Sequence, residues 1–206
     1  IYLLCYIYKQ DKIEKEPTKM LVQLFFLGCL AGVIACVLEE IGTVVLNKFV
    51  DPNSPAGEIM MAFFIVAVAE EGAKFLLLKK RTWKDPNFNF RFDGVVYAVF
   101  VSLGFAAFEN IGYVFSFGLS VTIPRALLAI PAHMGFAVFM GAFYGRAKFC
   151  ETKGDNTGKT LNLIIGYLMA VLLHGFYDAT AMLQTGLSML LYLIFVIAMY
   201  IIVYRK

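Results

Sequence analysis

The sequence IMMAFFIVAVAEEGAKFLLL, residues 59–78, decides how this chain must fold. A run of about 20 apolar residues is long enough to cross the hydrocarbon core of a bilayer. Only Glu70, Glu71 and Lys74 interrupt the apolar character of the run. Each ionisable side chain at the centre of a bilayer costs about 2.5–3.5 kcal/mol, so three in one span require partners inside the protein. The stretch is therefore predicted to be a membrane helix that carries a functional site.

The composition indicates that the rest of the chain is also membrane-embedded. Its 206 residues are 60% hydrophobic and 16% charged, with a mean hydropathy of +0.74. Soluble domains average about 45–50% apolar and about 25% charged residues. The predicted fold class is therefore all-α, a polytopic transmembrane helical bundle. The net charge of +3 does not indicate nucleic-acid binding, and the four cysteines include no CxxC spacing for a metal site.

About seven spans are expected in a single membrane domain of residues 1–206. Residues 1–8 are apolar but too short to span, and we expect them to be the end of a first helix that begins earlier. The other spans cover approximately residues 20–38, 58–78, 94–118, 124–147, 161–183 and 187–204.

The connections between these spans alternate in charge. Lysine and arginine are concentrated in residues 9–19, 79–91 and 146–159 and in Arg205-Lys206, whereas the 39–57 connection has only Lys48. Cytoplasmic loops of membrane proteins carry an excess of lysine and arginine. We therefore predict a multi-pass protein of the cell membrane with its basic loops and C-terminus in the cytoplasm.

Other ionisable residues fall inside apolar spans at a similar depth. Counted at 1.5 Å per residue from the span ends, they lie between the bilayer middle and the outer leaflet. Six residues are therefore candidates for one site: Glu70, Glu71, Glu109, His133, His174 and Asp178. The spacing of three and four residues lets Lys74 pair with either glutamate of its helix. Phe105 has the same spacing to Glu109 and is predicted to line the site.

This set of residues suits hydrolysis by one of two routes. Histidine and carboxylate ligands can hold a divalent metal such as zinc, and Glu71, Glu109, His133, His174 and Asp178 are the candidate ligands. Alternatively, a glutamate activates a water directly while a histidine orients the water and a second histidine or an aspartate stabilises the oxyanion. Neither a serine nor a cysteine nucleophile is indicated, and the HExxH zinc signature is absent.

The motifs resemble a known family in their order and helix placement. Glu70-Glu71-Gly-Ala-Lys74, Phe105-Ala-Ala-Phe-Glu109, His133 and His174-Gly-Phe-Tyr-Asp178 are similar to those of the PrsW family of intramembrane proteases. That family is distantly similar to the CAAX-prenyl protease and bacteriocin-processing group. In that group the positions of Glu109 and Asp178 are His and Asn, which favours the PrsW branch. The resemblance covers roughly residues 58–183, the core of the chain.

The resemblance implies a protease that makes the first cut in an anti-sigma factor or a similar single-span membrane protein. Such a cut on the extracytoplasmic side would begin regulated intramembrane proteolysis in a bacterial stress response. Two other classes of function fit buried ionisable residues. One is a proton- or cation-coupled transporter, although no internal repeat is evident. The other is a scaffold that binds partner helices through small-residue faces.

Four further features are given a structural interpretation, in which the residues pack or pair and do not act in catalysis. Lys74 is expected to neutralise the glutamate pair. His133 follows Pro131, so its imidazole is alternatively a partner for a carbonyl freed by a proline kink. Arg125 is interpreted as an outer-interface residue, and Glu39-Glu40, which has no lysine at the corresponding position, as a pair at the membrane boundary.

Overall fold

A computed structural model describes residues 1–204 of the chain. All regular secondary structure in those residues is helical, which confirms the predicted helical membrane bundle. The helices are α1 (Tyr2–Gln10), α2 (Thr18–Leu46), α3 (Pro55–Met60), α4 (Ala67–Thr82), α5 (Asp93–Phe117), α6 (Thr122–Leu127), α7 (Ala129–Thr152), α8 (Asn156–Met182) and α9 (Gly186–Tyr204).

Five segments are long and apolar enough to cross a membrane: α2, α5, Leu119–Thr152, α8 and α9. The predicted span of residues 58–78, which carries Glu70, Glu71 and Lys74, lies on a further continuous helix. In this helix a π-helical segment, Met61–Val66, joins α3 to α4 without a break. The chain is therefore a multi-pass membrane protein. Arg205 and Lys206, which contribute to the predicted position of the C-terminus, lie outside the described residues.

Two helix boundaries differ from the predicted spans in ways that affect the site. Helix α2 continues to Leu46, beyond the predicted end at residue 38, so Glu39 and Glu40 lie on a helix and not in a loop. No proline interrupts it, and apolar residues continue after the two glutamates. The span predicted at 124–147 is divided between α6 and α7. Pro131 lies in the first turn of α7, where its missing N–H removes no helical hydrogen bond.

Helix α5 is the most buried of the candidate spans, because α2 and α7 both pack along it. A Cβ atom at Gly28 of α2 would overlap the carbonyl oxygen of Val101, and one at Gly104 of α5 would overlap that of Phe25. The two backbones are therefore in direct contact. Small residues at such a crossing allow close van der Waals packing where no hydrophobic force drives helices together in lipid. This packing fixes the position of Glu109, which lies on α5.

The connection between α1 and α2 is fastened to α5 on the predicted cytoplasmic side. The Tyr97 hydroxyl donates a hydrogen bond of 2.6 Å to Glu16, whose side chain is buried. Burial raises the pKa of Glu16 from 4.5 to about 7. Lys15 donates to the carbonyl oxygens of Tyr8 and Asp11 and closes the same connection.

Candidate active site

The candidate site is a cavity of about 1070 Å³ between the helices. Five of the six candidate residues line it: Glu70, Glu109, His133, His174 and Asp178. Glu71 lies immediately behind them and is 1% exposed. The rim includes Ser116, Phe117 and Gln184, which lie at or beyond the ends of α5 and α8 that are opposite the basic loops. The cavity therefore extends from mid-span toward the predicted outer side.

Lys74 occupies the centre of the buried carboxylates. Its Nζ lies 2.7 Å from Glu71 Oε1 and 3.1 Å from Glu70 Oε2, so it pairs with both glutamates of its own helix. The same ammonium is 3.4 Å from His133 Nδ1 and 3.8 Å from the centre of the Phe105 ring. Phe105 thus supports the lysine from the side of α5 and also lines the cavity.

His133 connects this centre to α5. Its Nε2 lies 2.9 Å from Glu109 Oε2, while its Nδ1 faces Lys74. A lysine ammonium can only donate, so the neutral imidazole with its proton on Nε2 satisfies both contacts. The alternative expectation that His133 bonds a carbonyl freed by a proline kink is not met, because its ring nitrogens face Glu109 and Lys74. The Ser102 hydroxyl of α5 donates to the His133 carbonyl oxygen at 2.9 Å and further joins the two helices.

His174 on α8 has a carboxylate at each of its ring nitrogens. Its Nδ1 lies 2.9 Å from Glu71 Oε1, and its Nε2 lies 3.2 Å from Asp178 Oδ2. His174 and Asp178 are four residues apart on α8, so their contact is the one that this spacing predicted. Phe136 stacks on the imidazole with ring centroids 5.0 Å apart, which restricts the rotation of the ring.

The candidate residues therefore form two layers. Glu70, Glu71, His133 and His174 are all buried, and each offers one ligand atom within 4.8 Å of the others. Glu109 and Asp178, whose side chains are 22% and 23% exposed, bind the Nε2 atoms of the two histidines from the cavity side. Histidines that hold a metal usually donate their other ring N–H to a carboxylate, which orients the ring. The inner four residues thus have the chemistry and the support of a metal site.

The charges of the two layers do not balance. Four carboxylates face two fixed cations, Lys74 and Arg125. His174 lies between two carboxylates and can donate to both only as the imidazolium, so with His133 neutral an excess of one negative charge remains in a largely buried cluster, and unpaired buried charge is strongly unfavourable. A divalent cation that bound His174 in place of one of its protons would neutralise the cluster.

Arg125 and Glu39 belong to the site, although the sequence interpretation gave neither a role there. Arg125 lines the cavity with one nitrogen 2.8 Å from Glu109 Oε2. Its signal in the sequence is that it is the only basic residue between α5 and α7. Glu39 and Glu40 line the cavity wall because α2 extends past them.

No nucleophilic serine or cysteine is evident among residues 1–204. Ser102 bonds the backbone of His133 and not its imidazole. Cys36 lines the cavity, but no hydrogen bond joins it to either histidine. The arrangement therefore favours chemistry by an activated water, the class that the sequence predicted.

Comparison with known proteins shows which family the chain is similar to. The model of the family described as PrsW family intramembrane metalloprotease matches residues 16–204. The chain is 33% identical over 199 residues to Protease PrsW of Clostridioides difficile (strain 630), covering 95% of this chain and 81% of that protein. It is 34% identical over 178 residues to Protease PrsW of Bacillus subtilis (strain 168), covering 86% and 77%.

Protease PrsW of Geobacillus kaustophilus (strain HTA426) is 35% identical over 182 residues, covering 86% of this chain and 74% of that protein. No solved structure matches the chain. The family match and these relatives confirm the resemblance of the sequence motifs. The chain belongs to the PrsW family of intramembrane metalloproteases and is a membrane protease.

Proposed function

We propose that this protease makes the first, extracytoplasmic cut in a single-span membrane protein of the anti-sigma-factor type. The observation that carries the proposal is the approach of two carboxylate–histidine pairs, Glu109–His133 and Asp178–His174, to the Glu70-Glu71 pair in one cavity. The match to a family of intramembrane metalloproteases supports peptide hydrolysis over transport or a scaffold role. The anti-sigma-factor class follows from the resemblance stated for the sequence.

Two features, the distribution of charge and the shape of the cavity, support a cut on the outer side. The basic connections lie at one end of the helices, and we assign that end to the cytoplasm. The cavity rim is formed by Ser116, Phe117, Arg125 and Gln184, at the opposite end. A substrate segment leaving the membrane on the outer side would reach the candidate residues through this rim.

We assign the metal site to Glu70, Glu71, His133 and His174. A bound divalent cation such as zinc would polarise the scissile carbonyl and lower the pKa of a bound water. Glu109 and Asp178, candidate ligands by sequence, hold the two histidines by Nε2 in this proposal and leave Nδ1 turned inward. A route with a glutamate-activated water uses the same residues without the cation.

The two inner glutamates are assigned different roles. Glu71 accepts from Lys74 and faces His174 Nδ1 with the same oxygen, so it is held in place and fully enclosed. Glu70 lines the cavity, and its Oε2 is 3.1 Å from Lys74 and 3.8 Å from His174 Nε2. In the route without a metal, Glu70 is therefore the better general base, because it can take a proton from a water in the cavity and pass it to the leaving amine.

The experiment that tests the proposal identifies new N-termini in bacterial membranes that contain the wild-type chain or its Glu70→Gln variant. We expect fragments of single-span proteins, cut near the outer surface, only with the wild type. Glu71→Ala, Glu109→Ala and His174→Ala should also abolish the cut while the protein still accumulates. Glu58→Gln is a matched control, since Glu58 lies on the same continuous helix but outside the cavity. The absence of any wild-type-specific fragment would refute the proposal.

The metal is tested separately by elemental analysis of the purified protein and by chelation. Stoichiometric zinc together with chelator-sensitive cleavage would select the metal route. Cleavage that continues in metal-free protein would instead select the glutamate-activated water.

A further inference from the structure

Arg125 makes three contacts that all lie within two turns of α5. One terminal nitrogen is 2.8 Å from Glu109 Oε2, and Nε donates to Asn110 Oδ1 at 2.6 Å. The guanidinium also lies 3.6 Å from the centre of the Tyr113 ring. Its side chain is only 17% exposed, although α6 is a short helix at the cavity rim. The residue is therefore directed inward, away from the membrane surface.

The Glu109 oxygen that pairs with Arg125 is the oxygen that binds His133. Glu109 Oε2 lies 2.8 Å from Arg125 and 2.9 Å from His133 Nε2. The Glu109 side chain is 22% exposed to the cavity, and its direct polar contacts are an ion pair with Arg125 and a hydrogen bond from His133. Without the guanidinium, a carboxylate in this position can rotate toward water in the cavity and release the imidazole.

We propose that Arg125 is a positioning residue that holds Glu109 against His133 and thereby keeps Nδ1 of His133 turned toward the inner glutamates. This inference rests on the proposed function, in which Nδ1 of His133 acts on the metal or the reacting water. Arg125 itself does not contact those atoms, since its partners are Glu109, Asn110 and Tyr113.

The geometry requires arginine and not merely a positive charge. The planar guanidinium donates its Nε–H to Asn110, pairs ionically with Glu109 through a terminal nitrogen and stacks its face on a ring, whereas a lysine ammonium is a single compact charge. Asn110 is itself fixed, because its Nδ2 donates to the Ala106 carbonyl oxygen at 2.8 Å. Its Oδ1 therefore presents a fixed acceptor to Arg125. Lysine at this position should keep the attraction to Glu109 but lose the bond to Asn110.

The first test uses the imidazole nitrogens and needs neither substrate nor metal. The chain has two histidines, so protein labelled with ¹⁵N-histidine gives two ring systems, which His174→Ala assigns. In the metal-free wild type, we expect His133 to show two well-separated nitrogen signals of one neutral tautomer protonated on Nε2. In Arg125→Gln these signals should move toward each other as the tautomers exchange, and Arg125→Lys should give an intermediate spectrum.

The matched control is Arg91→Gln. Arg91 also stacks on an aromatic ring, with its guanidinium 3.7 Å from the centre of Phe149, but it lies at the other end of the bundle. This variant should leave the His133 signals unchanged. An unchanged His133 spectrum in Arg125→Gln would overturn the inference.

The second test measures zinc affinity and turnover of a substrate fragment identified as above. Loss of a residue that orients a metal-binding histidine lowers metal affinity or activity by about 10- to 100-fold. Arg125→Gln should lower zinc affinity and kcat by such a factor while KM changes less than about twofold. In a Glu109→Gln background, Arg125→Gln should cause no further loss of zinc affinity.

A change in KM alone, or an additional loss in the Glu109→Gln background, would also overturn the inference, because Arg125 would then act on substrate or by another path. Failure of the proposed function is distinguishable from these results. In that case the wild type neither binds zinc nor cleaves, and the His133 spectra alone decide the role of Arg125.

Discussion

Replacing Lys74 with methionine removes the cation at the centre of the candidate site while keeping a long unbranched side chain. Lys74 is 2% exposed, and its Nζ lies 2.7 Å from Glu71 and 3.1 Å from Glu70. Removing one partner of a buried ion pair destabilises a protein by about 3–5 kcal/mol, because the other charge remains buried. We expect a loss in this range for Lys74→Met in metal-free protein, since two adjacent carboxylates lose their counterion.

Zinc should reduce that loss, and this makes the prediction specific to the site. The ammonium lies within 3.4 Å of an atom of Glu70, Glu71 and His133, which are three of the four proposed ligands. It therefore repels a divalent cation there, and the methionine variant should bind zinc more tightly than the wild type. Ligand at 100 times its dissociation constant stabilises a folded protein by about 2.7 kcal/mol. Zinc at that concentration should therefore restore most of the folding stability that Lys74→Met loses.

The assay is unfolding in mixed detergent micelles with and without zinc, followed by the fluorescence of Trp83, the single tryptophan. Lys80→Met is the control, because Lys80 lies on the same helix but is exposed on the basic side. Its effect should stay within about 0.5 kcal/mol. A Lys74→Met deficit that zinc leaves unchanged, or weaker zinc binding by that variant, would refute the reasoning.

Two further predictions concern the stability of the helix packing and of the connection between α1 and α2. Gly104→Ala should destabilise the protein by about 1–3 kcal/mol, because the added Cβ forces α2 and α5 apart. Gly112→Ala on the same helix is the control and should not destabilise the protein, since its Cβ meets nothing within 4 Å. Equal unfolding curves for the two variants would contradict this packing. Burial raises the folded-state pKa of Glu16 from 4.5 to about 7, so folded protein keeps a proton that unfolded chain has released. The stabilisation from Glu16 is therefore complete below about pH 4.5 and lost as the pH rises through about 7, and Glu16→Gln should flatten this decline by about 1–3 kcal/mol in unfolding measured from pH 5 to pH 8.

Contacts within one helix could be predicted from the sequence. The spacing of three and four residues predicted that Lys74 can pair with Glu70 or Glu71, and the structure pairs it with both. The same rule predicted that His174 and Asp178 point the same way, and their side chains meet at 3.2 Å. Helical periodicity fixes these relations before any tertiary packing.

Contacts between helices could not be predicted in the same way. Depth along the membrane indicated that Glu109 and His133 share a level, but not that they are bonded, because pairing depends on the rotation of α5 and α7 about their axes. Arg125 was misread for a related reason. A cation near a membrane surface usually faces water or lipid headgroups, and only the return of α6 toward α5 directs it to Glu109.

Each histidine has a carboxylate at its Nε2, but for His174 the carboxylate is on the same helix and for His133 it is on a neighbouring helix. Asp178 holds His174 within one helix, so that pair survives small movements between helices. Glu109 holds His133 across two helices, and its position depends on the contact of α5 with α7, the Ser102 bond to the His133 backbone and the Arg125 clamp. The α5–α7 pair is therefore the part of the site where a change in helix packing alters the chemistry first.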